Sequence, residues 1–495
     1  MAEAEIAVEN PATGAVLATV PTHTAAEVAA AVSRARAAQP AWRDLGFPGR
    51  ARVLDRARRR LAKGAERVIA SIVAETGKPH EAAQMTELAY TLKALGFWAR
   101  RAPAYLADER VAPVSSLVKR RRLVTRYEPL GVVGVIGPWN FPLVNNFGDC
   151  VPALAAGNAV VLKPSELAPL TSLLMVEMLN GAGIPPGTFT VVTGGPETGE
   201  AVVDHADFIQ FTGSAETGRA VMRRAAETLT PVGLELGGND AMIVLADADL
   251  ERAASAAVTY GMGGAGQACV AVERVYVEAP VHEAFARMVA AKAGALRVGP
   301  PGASGSVDVG AITSAAGLAN IEDQVSEAVA GGARVLTGGA AAHPPGRFYP
   351  PTVVVEADRA SPLVAEETFG PILPIVAVAD AEEAVALAND SAYGLSASVF
   401  SADVAKAEAL ARRLEVGACC VNDVQVNYFA LELPMGGRKA SGIGRRHGPE
   451  GIRRFCAQQS LLIRRAPPRR AAHRLPYRRG RTRAAGRLIR LLYGR

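Results

Sequence analysis

Apolar positions along the chain fall into two regimes. In the first hundred residues they recur at helical spacing. Thr24-Ala-Ala-Glu27 has the spacing of a capping box, in which hydroxyl and carboxylate each satisfy a free backbone N–H, and it opens an Ala-rich helix to about Ala38. A second helix is predicted over 48–63, stopped by Gly64. From about Leu123 the pattern changes to short β-branched runs that end in Gly, Pro or Ser and lead into helical stretches: 132–136, 159–162, 189–192, 208–211, 242–245 and 272–277. Such runs, apolar on both faces and alternating with helices, predict a parallel sheet covered by helices. The alternation resumes after Gly237 and continues to about Phe400, enough chain for a second α/β domain. Residues 119–128 alternate weakly and are expected to form a protruding antiparallel arm. After Arg465 the chain is rich in Pro and Arg, with a turn or two of helix expected over 486–493.

Composition narrows the class without changing this outline. At 495 residues with 49% hydrophobic and 21% charged positions, the chain suits a multi-domain globular protein and excludes disorder as its main state. No apolar stretch approaches the ~18 residues of a membrane span, and the start Met-Ala-Glu-Ala-Glu is acidic where a secretory signal is basic and then greasy. Five cysteines, an odd number with Cys419 and Cys420 adjacent, point to a reducing compartment. The expected location is cytoplasmic. The net charge of +6 changes meaning once it is located: twelve Arg and no acid lie between Arg464 and Arg495, which leaves residues 1–463 at −6. An acidic body argues against nucleic acid as a partner. The basic end is a solvated, disordered tail by default, with a nucleic-acid contact or a peripheral contact with anionic membrane as the alternatives.

Several segments carry candidate chemistry. Gly263-Gly-Ala-Gly-Gln-Ala-Cys269 brings a thiol in on a Gly-rich approach, which leaves peptide N–H groups free for an oxyanion, although Cys269 alone reads equally as a small buried hydrophobe. Glu235, within Val232-Gly-Leu-Glu-Leu-Gly-Gly-Asn239, is a carboxylate among apolar neighbours, suited to general-base work or simply a charged loop residue. Asn140 follows a buried-type strand, where a side-chain amide can face an oxyanion or just shape a turn. The strand, small-residue turn and helix around Phe211, Thr212, Gly213 and Ser214 make an anion site at a helix start, or a plain connection. Lys163, Ser165 and Glu166 follow another strand at its carboxyl end, where dinucleotides lie in open α/β sheets. The seven His are scattered and there is no Cys-x-x-Cys, so no metal site is expected.

Taken together and in order, these segments resemble the aldehyde dehydrogenase superfamily over about residues 8 to 465. The resemblance rests on Asn10-Pro-Ala-Thr-Gly14, Gly137-Pro-Trp-Asn-Phe-Pro142, Gly157-Asn-Ala-Val-Val-Leu-Lys-Pro-Ser-Glu166, Phe211-Thr-Gly-Ser214, Leu234-Glu-Leu-Gly-Gly238, Gly266-Gln-Ala-Cys269, Glu366-Glu-Thr-Phe-Gly-Pro371 and Pro434-Met-Gly-Gly-Arg-Lys-Ala-Ser-Gly442. It implies a Rossmann-like dinucleotide-binding domain (1–112 and 130–234), a second α/β catalytic domain (235–445), a small β oligomerisation arm (113–129 and 446–465) and the basic tail (466–495). It implies oxidation of a small-molecule aldehyde to its acid, with Cys269 as nucleophile, Asn140 as oxyanion donor and Glu235 as the base that activates water. Retention of Glu235 favours hydrolysis over transfer to coenzyme A. The cofactor implied is NAD, with NADP the alternative, held by Ile136, Pro138, Trp139, Lys163, Ser165, Glu166, Gly195, Gly199, Phe211, Thr212, Gly213, Ser214, Leu236, Gly237, Glu367 and Phe369. A homo-oligomer, dimer or tetramer, is also implied.

The sequence departs from the family pattern at four positions. Asp149 stands where many hydrolytic relatives carry a Lys, Arg446 where many carry an acid, and Gly264 where an Asn is frequent. The endings Cys269-Val-Ala-Val-Glu-Arg274 and Pro434–Gly448 are similar to one branch of bacterial succinate-semialdehyde dehydrogenases, yet Gly148 replaces the Arg that the better-known members use for the substrate carboxylate. Arg274 and Arg438 are the alternative cations. A non-enzymatic, surface-held scaffold of this fold is the rival reading, and it has no need of Cys269, Asn140 and Glu235 together.

Overall fold

A computed structural model describes residues 5–115, 118–119, 121–340, 346–465 and 478–494. The chain packs as two units, a large one from residues 1–106 and 128–457 and a small one from 107–127 and 458–495.

The large unit opens on an antiparallel hairpin, Glu5–Glu9 with Val16–Pro21, where helical spacing is expected, and from Ala25 to Tyr105 it is helical as expected. Thr24 caps the helix Ala25–Asp44 with the full capping box, and Gly64 ends the helix Gly46–Lys63. The helices Ala65–Thr76 and Ala89–Tyr105 follow; their apolar positions are masked in sequence by interspersed Ala, Gly and Thr.

Two sheets carry the large unit. The first has six strands in the order Gly442–Ile443, Val232–Glu235, Phe208–Thr212, Val132–Ile136, Ala159–Lys163, Phe189–Val191, parallel apart from the antiparallel edge pair Gly442–Ile443 with Val232–Glu235. The second has seven strands in the order Arg334–Thr337, Thr352–Val355, Ile372–Val378, Val272–Glu278, Asp240–Val244, Ser396–Phe400, Ala418–Val421, parallel except where Arg334–Thr337 joins. Continuous β-branched runs are buried on both faces by covering helices, which is why these strands read as unbroken apolar stretches. One core joins the first sheet to the helix Ala25–Asp44 through Val28, Val32, Val132, Val161 and Ile209.

Strand order fixes where a ligand goes. From Val132–Ile136 the chain steps outward to Ala159–Lys163 and Phe189–Val191, then returns to the other side through Phe208–Thr212 and Val232–Glu235. The connections leaving Val132–Ile136 and Phe208–Thr212 therefore diverge, and a crevice opens at the carboxyl ends of these strands.

In the small unit, Glu109–Val111 pairs antiparallel with Arg122–Pro129 in a three-stranded sheet that Cys456–Ile463 completes. The weak alternation expected over 119–128 is a strand from Arg122, with residue 120 outside the described residues. Residues 446–457, expected in the arm, pack in the large unit instead. The helix Arg479–Tyr493 is twice the expected length because Ala484, Ala485 and the Leu and Arg run continue it without a proline. Among the described residues no helix is long and apolar enough to cross a membrane.

Candidate active site

The nucleophile loop is built from backbone constraints. After the helix Leu250–Met262 the chain makes a tight turn, Gly263–Gly266, in which Gly264, Ala265 and Gly266 all have positive φ. A Cβ at Gly266 would drive into the Gly370 carbonyl, so only glycine fits there. The turn delivers Cys269, half-buried, just before the strand Val272–Glu278. Gln267 locks it: its side chain donates to the Gly264 and Ala311 carbonyls, and its Oε1 accepts from the Thr313 N–H. The Asn140 amide donates to the Gln267 carbonyl at 3.0 Å, tying the two segments together and leaving its second N–H for another acceptor.

Two hollows meet at Cys269. One is a cleft of about 200 Å³ lined by Pro138, Trp139, Asn140, Thr212, Gly213, Ser214, Glu235, Leu236, Gly237, Glu367 and Phe369. The other, about 600 Å³, is a separate hollow lined mainly by apolar side chains. Cys269 and Asn145 border both.

The cleft lies in the crevice that the strand order opens, and its walls are turns at strand ends. Pro138 and Trp139 follow Val132–Ile136, while Gly213 and Ser214 follow Phe208–Thr212. Ser214 caps the helix Ala215–Glu227, its Oγ accepting from the Thr217 N–H at 3.2 Å. Gly237 is a close approach, since a Cβ there would collide with the Glu367 carboxylate. Glu367 accepts from the Gly238 N–H at 2.9 Å, and burial raises its pKa to about 7. Phe369, at positive φ, packs edge-on to Trp139 with ring centroids 5.6 Å apart. Its turn is held by Glu273, whose carboxylate accepts from the Thr368 and Phe369 N–H groups at 3.0 and 3.1 Å. Burial, reinforced by Glu367, raises Glu273 to about 8.

Other expected cofactor residues sit outside this cleft. Lys163, Ser165 and Glu166 follow the neighbouring strand at the same sheet end, with the Lys163 ammonium 3.3 Å from the Glu166 carboxylate. Gly195 caps the helix Pro196–His205 and, with Gly199, faces open space. Ile136 and Phe211 end their strands at the crevice with side chains that join the core, the Phe211 ring lying against cleft-lining Gly213. The residues present fit a dinucleotide. Side-chain-free glycines border open space at a helix start, a carboxylate and a lysine stand at the next strand end, and the crevice leads to the thiol.

Glu235 ends its strand inside the cleft, 5% exposed, with Oε1 unpartnered and 4.0 Å from Arg454 Nη1. Burial pushes its pKa up to about 6, against the pull of Arg446 and Arg454. Burial likewise pushes the Cys269 thiol up to about 12, and Arg446 opposes that shift.

The two departures at 149 and 446 form one unit. Arg446 Nε and Nη2 donate to the two Asp149 oxygens at 2.9 and 2.8 Å, a buried bidentate pair, and Arg454 adds a third bond to Asp149 at 3.2 Å. Arg446 also donates to the Tyr428 hydroxyl at 2.9 Å, the Asn145 side-chain oxygen at 3.2 Å and the Thr212 hydroxyl at 2.9 Å. Each residue looks like a loss in sequence; in space the reversed charges answer one another. Sequence reasoning missed Arg454, Tyr428 and Glu273. A glutamate inside the buried run Val-Glu-Arg-Val-Tyr-Val was the available signal for Glu273.

The chain matches the model of the aldehyde dehydrogenase family over residues 1–461. The chain belongs to that family. This aldehyde dehydrogenase is 38% identical to a Mycobacterium tuberculosis protein named "Putative succinate-semialdehyde dehydrogenase [NADP(+)] 2", covering 91% of this chain and 86% of that one. It is 37% identical to the "4,4'-diapolycopene aldehyde oxidase" of a Methylomonas species, over 95% and 88%. Among solved structures it is similar to the lactaldehyde dehydrogenase of Escherichia coli, with a TM-score of 0.89 and 33% identity over 93% and 96% of the chains. Like its family, it is an NAD(P)-dependent enzyme that oxidises aldehydes.

Arg274 and Arg438 do not face either hollow at Cys269. Arg274 is buried, donating to the backbone carbonyls of Asn239, Leu387 and Ala388. Arg438 is exposed.

Proposed function

We propose that this enzyme converts an aldehyde to its carboxylic acid through a covalent thioester on Cys269, hydrolysed with Glu235 as base. The observation that carries the reading is the position of Cys269 on the border of two hollows, with Glu235 and Asn140 in the one at the sheet's switch point. The cofactor, bound along that crevice by Ser214, Gly237, Glu367 and Phe369 and at the next strand end by Lys163 and Glu166, supplies an acceptor for the hydride lost by the reacting carbon.

The chain's residues do the rest. The Cys269 thiol gives its proton to water in the adjoining hollows, favoured by the Arg446 charge, and its sulfur bonds to the aldehyde carbon while the carbonyl oxygen takes the negative charge. The second Asn140 N–H and the Cys269 peptide N–H stabilise that oxygen. Loss of hydride leaves an acyl group on sulfur. Water then attacks the acyl carbon, its proton goes to Glu235, the C–S bond breaks, and the acid leaves with the thiolate restored. A base near pKa 6 is charged at neutral pH and still basic enough to take the proton.

Cys269→Ala should lower turnover by more than a hundredfold with dinucleotide affinity unchanged; residual activity above about one per cent rejects the nucleophile. A semialdehyde substrate is the finer alternative, after the mycobacterial relative's printed name, and it requires a cation beside the bound tail. NAD is proposed over NADP, since Glu166 disfavours a 2′-phosphate by like charge. The three-stranded sheet of the small unit is proposed as an assembly arm for a homo-oligomer. The tail helix places Arg479, Arg483, Arg487 and Arg490 on one face and exposes Leu488 and Leu491 on another, which suits peripheral contact with an anionic membrane.

A further inference from the structure

The 600 Å³ hollow bordered by Cys269 is the place where an aldehyde's body would lie, and its exposed lining is mainly apolar. Met85, Ala89, Val144, Val270, Val426 and Phe429 supply wall from four separate segments, and among the described residues no Asp, Glu or Arg borders it. Two lysines border it, and of these Lys78 is ion-paired. The Lys78 ammonium is buried, 2.6 Å from the Glu87 carboxylate and 3.4 Å above the Phe141 ring, so it is neutralised before any ligand arrives. Lys93 is exposed and donates to the Phe429 carbonyl at 2.7 Å. The Tyr90 hydroxyl is paired with His447 Nε2 at 2.7 Å, and the Tyr428 hydroxyl donates to Asn145 and accepts from Arg446. A substrate carboxylate placed here would give up water for hydrocarbon while Lys78 is already ion-paired and Lys93 is exposed to solvent and tied to a carbonyl, a cost that a hydrocarbon tail does not meet.

Resting on the thioester reading above, we propose that the substrate is an aldehyde with an uncharged, predominantly hydrocarbon body, of medium chain length or aromatic, and not a semialdehyde carrying its own carboxylate. The volume is within the range of sites that enclose whole drug-sized ligands, far more than a three- or four-carbon aldehyde fills. Catalytic efficiency should therefore grow with each methylene until the hollow is full.

The test is kcat/KM of the purified full-length enzyme, with NAD and with NADP, for straight alkanals from propanal to decanal and for a matched pair. The pair is succinate semialdehyde and 4-methylpentanal, in which an isopropyl group replaces the carboxylate at similar size. The expected result is a rise of about threefold per methylene over the first several members, and a preference for 4-methylpentanal of at least about a hundredfold. Ala89→Trp, which shortens the hollow, should cut octanal efficiency at least tenfold more than propanal efficiency. A flat length series or a preference for succinate semialdehyde overturns the substrate class while leaving the thioester reading standing, provided the activity still depends on Cys269. If Ala89→Trp lowers both aldehydes equally, the hollow is not the seat of selectivity and the proposal falls. NADH or NADPH formation that survives Cys269→Ala rejects the thioester reading, and with it the proposal built on it.

Discussion

The two hollows that meet at Cys269 are made in different ways. The smaller one is walled by turns at the ends of parallel strands, where glycines, a capping serine and buried carboxylates are set by backbone geometry, as in the close approach at Gly237. The larger one is walled mainly by side chains from helices and loops far apart in sequence, with the positive-φ turn at Gly264 as its backbone-set part. The difference teaches where each kind of selectivity resides. Changes in the cleft should alter chemistry and cofactor use for every aldehyde, whereas changes in the apolar hollow should sort one aldehyde from another.

The largest effect is expected where the cleft is braced. Arg446→Leu removes the bidentate partner of buried Asp149 and, with Arg454 still 3.2 Å away, should destabilise the protein by about 3 kcal/mol in urea unfolding, the lower end for a broken buried pair. A loss under 1 kcal/mol shows the pair to be dispensable. The next concerns pH. Glu235 must be ionised to act, and its pKa is raised to about 6, so kcat should fall roughly tenfold per unit as pH drops below about 6, with the same profile for every aldehyde. A limb that moves with the aldehyde would assign it to the substrate side. Glu166→Gln is a smaller, cofactor-specific change: kcat/KM with NADP relative to NAD should rise several-fold with no change in the order of preferred aldehydes. The least effect on chemistry is expected for a chain ending at Arg465. Its kcat should match the full chain, while pelleting with anionic vesicles at low salt is lost; equal pelleting of both rejects the membrane contact.

How much of this was legible in the sequence follows the same division. Strands buried on both faces announced themselves, and 132–136 was placed to the residue, because a parallel sheet needs unbroken β-branched runs. The cleft could be read because each wall is a short contiguous segment with a backbone reason for its glycines. The apolar hollow could not, since Met85, Val144, Val270 and Phe429 become neighbours only through tertiary packing, and Ala, Met and Val at helical spacing look like any core. Asp149 and Arg446 show the limit most clearly. Each is a visible departure, but 297 positions separate them, and only the fold reveals that one compensates the other.

The central claim is a covalent acyl group on Cys269 that Glu235 helps to release, and peptide mapping by mass spectrometry addresses it most directly. Glu235→Gln enzyme is incubated with NAD and a medium-chain alkanal, quenched in acid and digested. The account predicts one equivalent of NADH per active site and an acyl mass increment confined to the peptide carrying Cys269. An unmodified Cys269 peptide after that burst, or an increment on Cys150, Cys419, Cys420 or Cys456, would contradict it.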